Sequence, residues 1–225
     1  MKSVNKTISV SFVLLLFLLE SIHAQDPGRF NKEIKELTGK EYHFDNNKPV
    51  LLFAGSSSIR KWNNIESSFP EYNVIKNGFG GSQFSDLIFF YNKLIAPYKP
   101  DVILIYEGDN DVAAGKETSD IIKDAKQLLS MIRNDFPETP MVFISAKPSV
   151  SRWELKKEYE KVNKKLKKLC SKTQNTYYAD VWNAMLNSNG NVRDDIFVSD
   201  DLHMNDKGYE LWTNKITEIL NNVLK

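Results

Sequence analysis

Cysteine and histidine are scarce in this 225-residue chain, which holds Cys170 alone and only His23, His43 and His203. A single cysteine closes no internal disulfide. Cys170 falls in a helical stretch and reads as a small buried apolar residue. No H-E-x-x-H or C-x-x-C spacing occurs, so a zinc site would have to lean on carboxylates, a poor basis for zinc hydrolase chemistry. An all-carboxylate calcium or magnesium site stays open. Charge of one sign is lacking too, with 30 basic against 29 acidic residues. Long apolar runs are missing except for one, Ile8 to Leu19, which is too short to span a bilayer comfortably. Lys2 and Lys6 precede it and small or neutral residues lead to Ala24, the pattern of a secretory signal peptide. Residues 1–24 are therefore expected to be removed on export to the periplasm or medium; an N-terminal membrane anchor is the competing reading. Without them 28 basic and 28 acidic residues remain, since the leader carries Lys2, Lys6 and Glu20. A neutral chain gives no reason to expect nucleic-acid binding or stable membrane insertion.

What is present alternates. Apolar runs of strand length lie at Val50–Ala54, Val74–Lys76, Val102–Tyr106, Met141–Ser145 and Thr176–Ala179. Between them Phe84–Leu94, Ser119–Phe136 and Trp153–Lys172 read as amphipathic helices, and Asp206–Val223 closes the chain. The order implies an α/β fold, and the unbroken apolar strands imply a parallel sheet covered on both faces. Pro137 and Pro140 mark a helix stop and a turn. The lysines from Lys156 to Lys168 interleave with Glu158 and Glu160 around an apolar stripe of Tyr159, Val162, Leu166 and Leu169, so they form a solvated helix face. Residues 25–49 read as an N-terminal extension, with a short helix at Phe30–Leu37 and a linker at Tyr42–Pro49, before a domain spanning 50–225.

In an open parallel sheet, ligands bind beyond the carboxyl ends of the strands. Polar or glycine-rich clusters follow three strands: Gly55-Ser56-Ser57-Ser58, Asn77 to Ser82, and Glu107-Gly108-Asp109-Asn110-Asp111. A fourth, Asp200-Asp201-Leu202-His203, precedes the last helix. Individually each reads as a turn or cap, and Gly108–Asp111 also fits a hairpin. Together they converge on one sheet edge.

With these four blocks in order from about Val50 to the C-terminus, the sequence resembles the SGNH (GDSL-type) hydrolases. It is most similar to the bacterial branch related to platelet-activating-factor acetylhydrolase subunits, through Gly55 to Trp62. Ser56 replaces the frequent aspartate of the first block. The family's four named residues map onto Ser57, Gly81, Asn110 and His203. The resemblance implies a three-layer α/β/α domain with a five-stranded, mainly parallel, flavodoxin-like sheet, and an esterase that needs no cofactor or metal. Small-molecule or carbohydrate esters are the implied substrates.

The chemistry of these residue types agrees. A serine hydroxyl needs an adjacent base to attack an ester, and an aspartate three residues before His203 can orient the imidazole. Asp200 fits, with Asp201 as its competitor; Asn205 is the better cap for the last helix. Ser57 N–H, Gly81 N–H and the Asn110 amide are candidate oxyanion donors, Gly81 because a missing side chain lets an oxygen approach. His43 reads as structural or surface. The first block lacks the second glycine of a G-x-S-x-G elbow and lies early in the chain, with acid and base nearly adjacent, which excludes the α/β-hydrolase fold. The reading is an exported serine esterase for short acyl groups, acetylated carbohydrate among them. The alternatives are a lysophospholipase or lipase-type acylhydrolase, and a non-catalytic binding module of the same fold.

Overall fold

Uninterrupted apolar runs become strands whose two faces are both covered. In the computed structural model, which describes residues 26–224, these are β1 (Val50–Gly55), β2 (Asn73–Gly78), β3 (Val102–Tyr106), β4 (Met141–Ile144) and β5 (Thr176–Ala179). The expected signal peptide lies outside the described residues. The sheet has five strands in the order β2-β1-β3-β4-β5, and every pairing is parallel. β3 and β4 are buried at every position, as strands covered on both sides must be.

Successive residues along a strand point to opposite faces and so feed two cores. Leu52, Ala54, Ile103, Ile105, Met141 and Phe143 pack with buried residues of helices Phe84–Phe89, Thr118–Asp135 and Lys156–Cys170. Leu51, Phe53, Val102, Leu104, Val142 and Ile144 pack on the other face, against Trp62 and the closing helix Asp206–Val223. Fully burying one such side chain contributes roughly 1.5–3 kcal/mol, and the result is three layers, α/β/α.

Two helices differ from expectation in ways the backbone explains. The stretch Phe84–Leu94 is two helices, Phe84–Phe89 and Tyr91–Leu94, because Phe90 leaves the helical region at φ −94°, ψ 10° while its ring is buried. The stretch Trp153–Lys172 begins as a 3₁₀ turn, Trp153–Leu155, and continues as an α-helix only over Lys156–Cys170. Helix Thr118–Asp135 stops before Phe136, which precedes Pro137 and leaves the helical region at φ −133°, ψ 67°. Cys170 is buried, and burial pushes its thiol up to about 12, so it is unreactive.

The segment before β1 is packed onto the domain. Phe30, Ile34 and Leu37, on and just before helix Asn31–Thr38, belong to the first core, and the Phe30 ring meets Phe79 edge-on at 4.9 Å. Glu33 accepts the Gly80 N–H at 3.1 Å and pairs with Arg60, also at 3.1 Å. Arg29 pairs with buried Asp86 at 3.0 Å. These contacts fasten the segment to the loop that follows β2.

Candidate active site

Three strands end level, because Gly55 is in register with both Gly78 and Tyr106. β2 and β3 flank β1, so the connections leaving β1 and β3 diverge, and a crevice opens beyond their carboxyl ends. Gly55 makes the exit from β1 possible. Its φ is 141°, and a Cβ there would lie 2.0 Å from the Tyr106 carbonyl oxygen, so no other residue fits. Ser56 N–H then donates to that same carbonyl at 3.1 Å, and Ser57 opens the short helix Ser57–Arg60.

The Ser57 hydroxyl lies 3.0 Å from His203 Nε2, and His203 Nδ1 lies 2.6 Å from Asp200 Oδ2. The other oxygen of Asp200 accepts the Leu202 and His203 N–H groups at 3.0 and 2.8 Å. Asp200 is thus a loop organiser, not a helix cap; Asn205 caps the last helix by accepting the Gly208 N–H. A bridge between Phe197 and Met204 and a Val198 N–H bond to the His203 carbonyl close the loop at its base. Asp201 stands in the left-handed region at φ 54°, and among the described residues its carboxylate accepts no hydrogen bond. Ser56 and Ser58 are both buried. Of the three serines, Ser57 alone reaches the histidine, and of the two aspartates, Asp200 alone.

The protons on the imidazole follow from this network. With a carboxylate 2.6 Å away, Nδ1 carries the hydrogen and Nε2 is left to accept from Ser57. Lys61 Nζ also stands 3.1 Å from Nδ1 and 3.9 Å from Asp200 Oδ2; facing a donor, it adds positive charge rather than a hydrogen bond. Burial lowers the His203 pKa below the usual imidazole value; Asp200 opposes the shift, while Lys61 and Lys147 reinforce it. Burial disfavours the Asp200 anion, but the His203 and Leu202 N–H groups and the His203 ring outweigh it and hold the carboxyl well below its ordinary range.

The expected oxyanion donors stand at the neighbouring strand ends. Gly81 is exposed at φ +76°. A Cβ on it would meet nothing within 4 Å, so within the chain itself it is the positive φ that calls for glycine. Among the described residues neither the Ser57 nor the Gly81 N–H has an internal acceptor. Asn110 lies in the first turn of a short helix, Asp109–Ala113, capped by Gly108 at φ 102°; the hairpin alternative for this block is overturned. Asn110 Nδ2 donates to the Ser82 carbonyl at 2.9 Å, which uses one of its two hydrogens, and its Oδ1 accepts from Arg152 at 3.3 Å. His43 is exposed, and no group of three or more metal-ligating side chains is assembled among the described residues.

Several charged residues near these groups carry roles that the sequence does not assign. Asp109 is buried among Arg152, Lys147, Tyr106 and Tyr159. Glu107 is fully buried with the Ser82 hydroxyl at 2.7 Å from Oε1 and no partner on Oε2. Burial first of all pushes its carboxyl well above the usual range, which favours the protonated form. The rule that found the other blocks also points to Lys147, three residues beyond the end of β4. Arg152 and Lys61 carry no comparable signal, because they arrive from a loop and from one turn past the serine.

The sequence profile of the GDSL-like lipase/acylhydrolase family matches residues 53–211. The fold is similar to a Streptococcus pneumonia protein provisionally described as a platelet activating factor (TM-score 0.73, 16% identity, 86% of this chain and 92% of that one). It is also similar to a GDSL-like lipase from Bacteroides thetaiotaomicron (0.70, 14%, 88% and 98%) and to an acetylxylan esterase from Geobacillus stearothermophilus (0.64, 13%, 78% and 94%). No curated protein sequence matches. The profile spans most of the chain and all four blocks, and the chain belongs to the GDSL-like lipase/acylhydrolase family, hydrolases that act on ester bonds.

Proposed function

We propose that this protein is an exported serine esterase that hydrolyses small carboxylic esters through an acyl-enzyme, with acetyl groups on carbohydrate as its substrate class. The observation that carries the reading is the continuous chain Ser57 Oγ–His203 Nε2 at 3.0 Å and His203 Nδ1–Asp200 Oδ2 at 2.6 Å. Ser57 attacks the ester carbonyl as His203 takes its proton, and Asp200 stabilises the imidazolium that forms. The oxyanion is met by the Ser57 and Gly81 N–H groups and the second hydrogen of the Asn110 amide. The imidazolium then protonates the leaving alkoxide, and the neutral histidine activates water to release the acid.

Short acyl groups are supported by the scatter of exposed large apolar side chains. Among the described residues these are Phe44, Phe89 and Val198, on three separate segments, and isolated residues of this kind do not make a lipid-binding surface. No described helix is long and apolar enough to cross a membrane. The carbohydrate preference takes support from the fold shared with an acetylxylan esterase. Export rests on the leader pattern of residues 1–24, and a mature protein that retained Met1 would contradict it.

The test is a series of p-nitrophenyl esters of rising chain length beside acetylated xylo-oligosaccharides, with acetate release measured. The account expects kcat/KM to peak at acetate to butyrate and acetate to be freed from the oligosaccharide. Each buried CH₂ contributes about 0.8 kcal/mol, so a deep acyl tunnel would make kcat/KM climb with every added carbon. A peak at decanoate or beyond would replace this reading with the lipase one.

A further inference from the structure

Asp109 presents an unusual concentration of partners for one side chain. Its Oδ1 accepts from Arg152 Nη1 at 2.6 Å and from the Tyr159 hydroxyl at 2.6 Å. Its Oδ2 accepts from the Tyr106 hydroxyl at 2.9 Å and faces Lys147 Nζ at 3.6 Å. Both cations continue outward. Both terminal nitrogens of Arg152 lie 3.3 Å from Asn110 Oδ1. Lys147, 1% exposed, donates to the Leu202 carbonyl at 2.7 Å, one residue before His203. We infer that Asp109, Arg152 and Lys147 form a positioning unit for the reaction proposed above, in which one buried carboxylate aligns the Asn110 amide on one side and the His203 loop on the other. The inference rests on that reaction.

The physical case begins with the amide. An asparagine has a donor and an acceptor end of nearly equal shape, and only its partners decide which way it faces. Arg152 fixes the oxygen end and Ser82 receives one hydrogen, so the second hydrogen has one direction left. A guanidinium suits this task, because its planar fork engages Asp109 and Asn110 together, whereas an ammonium is a single point of charge. Asp109 in turn makes the arrangement rigid. Burial disfavours its anion, but Lys147, Arg152 and both tyrosines outweigh it and hold the carboxyl at about 2, so the anchor stays charged. Leaving any of these buried charges without its partner is costly, which confines the unit to one geometry.

The experiment uses the full chain with Arg152→Ala and Arg152→Lys, each titrated with a fluorophosphonate and assayed on p-nitrophenyl acetate. Arg152→Ala is expected to lower kcat by ~10–100-fold with KM held within about 3-fold, the signature of an interaction made in the transition state. Millimolar guanidinium should restore several-fold activity, since the Arg152 side chain is 21% exposed, while ammonium at equal ionic strength should not. Arg152→Lys keeps the charge beside Asp109 and guards against a folding defect; it should keep the wild-type melting temperature and still lose kcat. Wild-type kcat in both variants overturns the unit while leaving Ser57 in place. A loss of kcat that only tracks the folded fraction, without guanidinium rescue, also overturns it. If the wild-type protein takes no fluorophosphonate on Ser57, the proposed reaction itself fails and the unit falls with it.

Discussion

Replacing Asn110 by alanine separates its two roles by their magnitudes. The substitution removes one hydrogen bond to the Ser82 carbonyl and two to Arg152. The group is half-buried and both contacts to Arg152 are long, at 3.3 Å, so the three bonds together cost about 1–2 kcal/mol net. In a domain of this size that lowers Tm by roughly 2–8 °C. The catalytic loss is larger, because an oxyanion donor acts where charge develops: about 10²–10³ in kcat, equivalent to ~2.7–4 kcal/mol, with KM nearly unchanged. Steady-state kinetics and thermal melts on one preparation of the variant supply both numbers. A kcat within about 3-fold of wild type, accompanied by the Tm loss, would refute the reasoning and leave Asn110 as a scaffold residue holding the loop after β2.

Activity should fall on acidification as His203 takes a proton, with the midpoint of the acid limb of kcat/KM below the ordinary imidazole value, because burial, Lys61 and Lys147 disfavour the cation. Lys61→Met should move that limb to higher pH; an unmoved limb would mean that the ammonium 3.1 Å from Nδ1 does not act on the base. Glu107→Gln tests the buried carboxyl, whose Oε2 is unpartnered among the described residues. Above the usual carboxylate range the unfolded chain releases a proton that the folded chain keeps, so the stability contribution of Glu107 declines as pH rises, by at most about 1.4 kcal/mol per pH unit. The variant should therefore gain Tm relative to wild type as pH rises above the ordinary carboxylate range, and a difference independent of pH would contradict the raised pKa of Glu107.

Much of this arrangement is legible in the sequence, and the reasons differ by residue. β3 and β5 are read to the residue, β3 as an unbroken apolar run and β5 as a short β-branched and aromatic run that ends at Asp180. Ser57, Asp200 and His203 emerge from strand-end placement and from the scarcity of histidine. The positive φ of Gly81 has no signature of its own, since a turn glycine and one kept bare for an approaching oxygen look alike in sequence. The break at Phe90 is invisible because an aromatic residue fits a helix equally well and the burial of its ring decides the bend. Lys147 carries a signal in its place just after β4, whereas Arg152 has none, and the importance of both comes from facing Asp109, 38 and 43 residues away, a contact that no local pattern encodes.

The central claim is that Ser57 is the acylated nucleophile, and intact-mass analysis after fluorophosphonate treatment tests it most directly. The account predicts a single adduct on the wild-type protein, mapped by peptide digestion to Ser57. Ser57→Ala should take no adduct, while Ser58→Ala should be labelled as wild type. A labelled Ser57→Ala protein, or a wild-type adduct mapped to another residue, would contradict it.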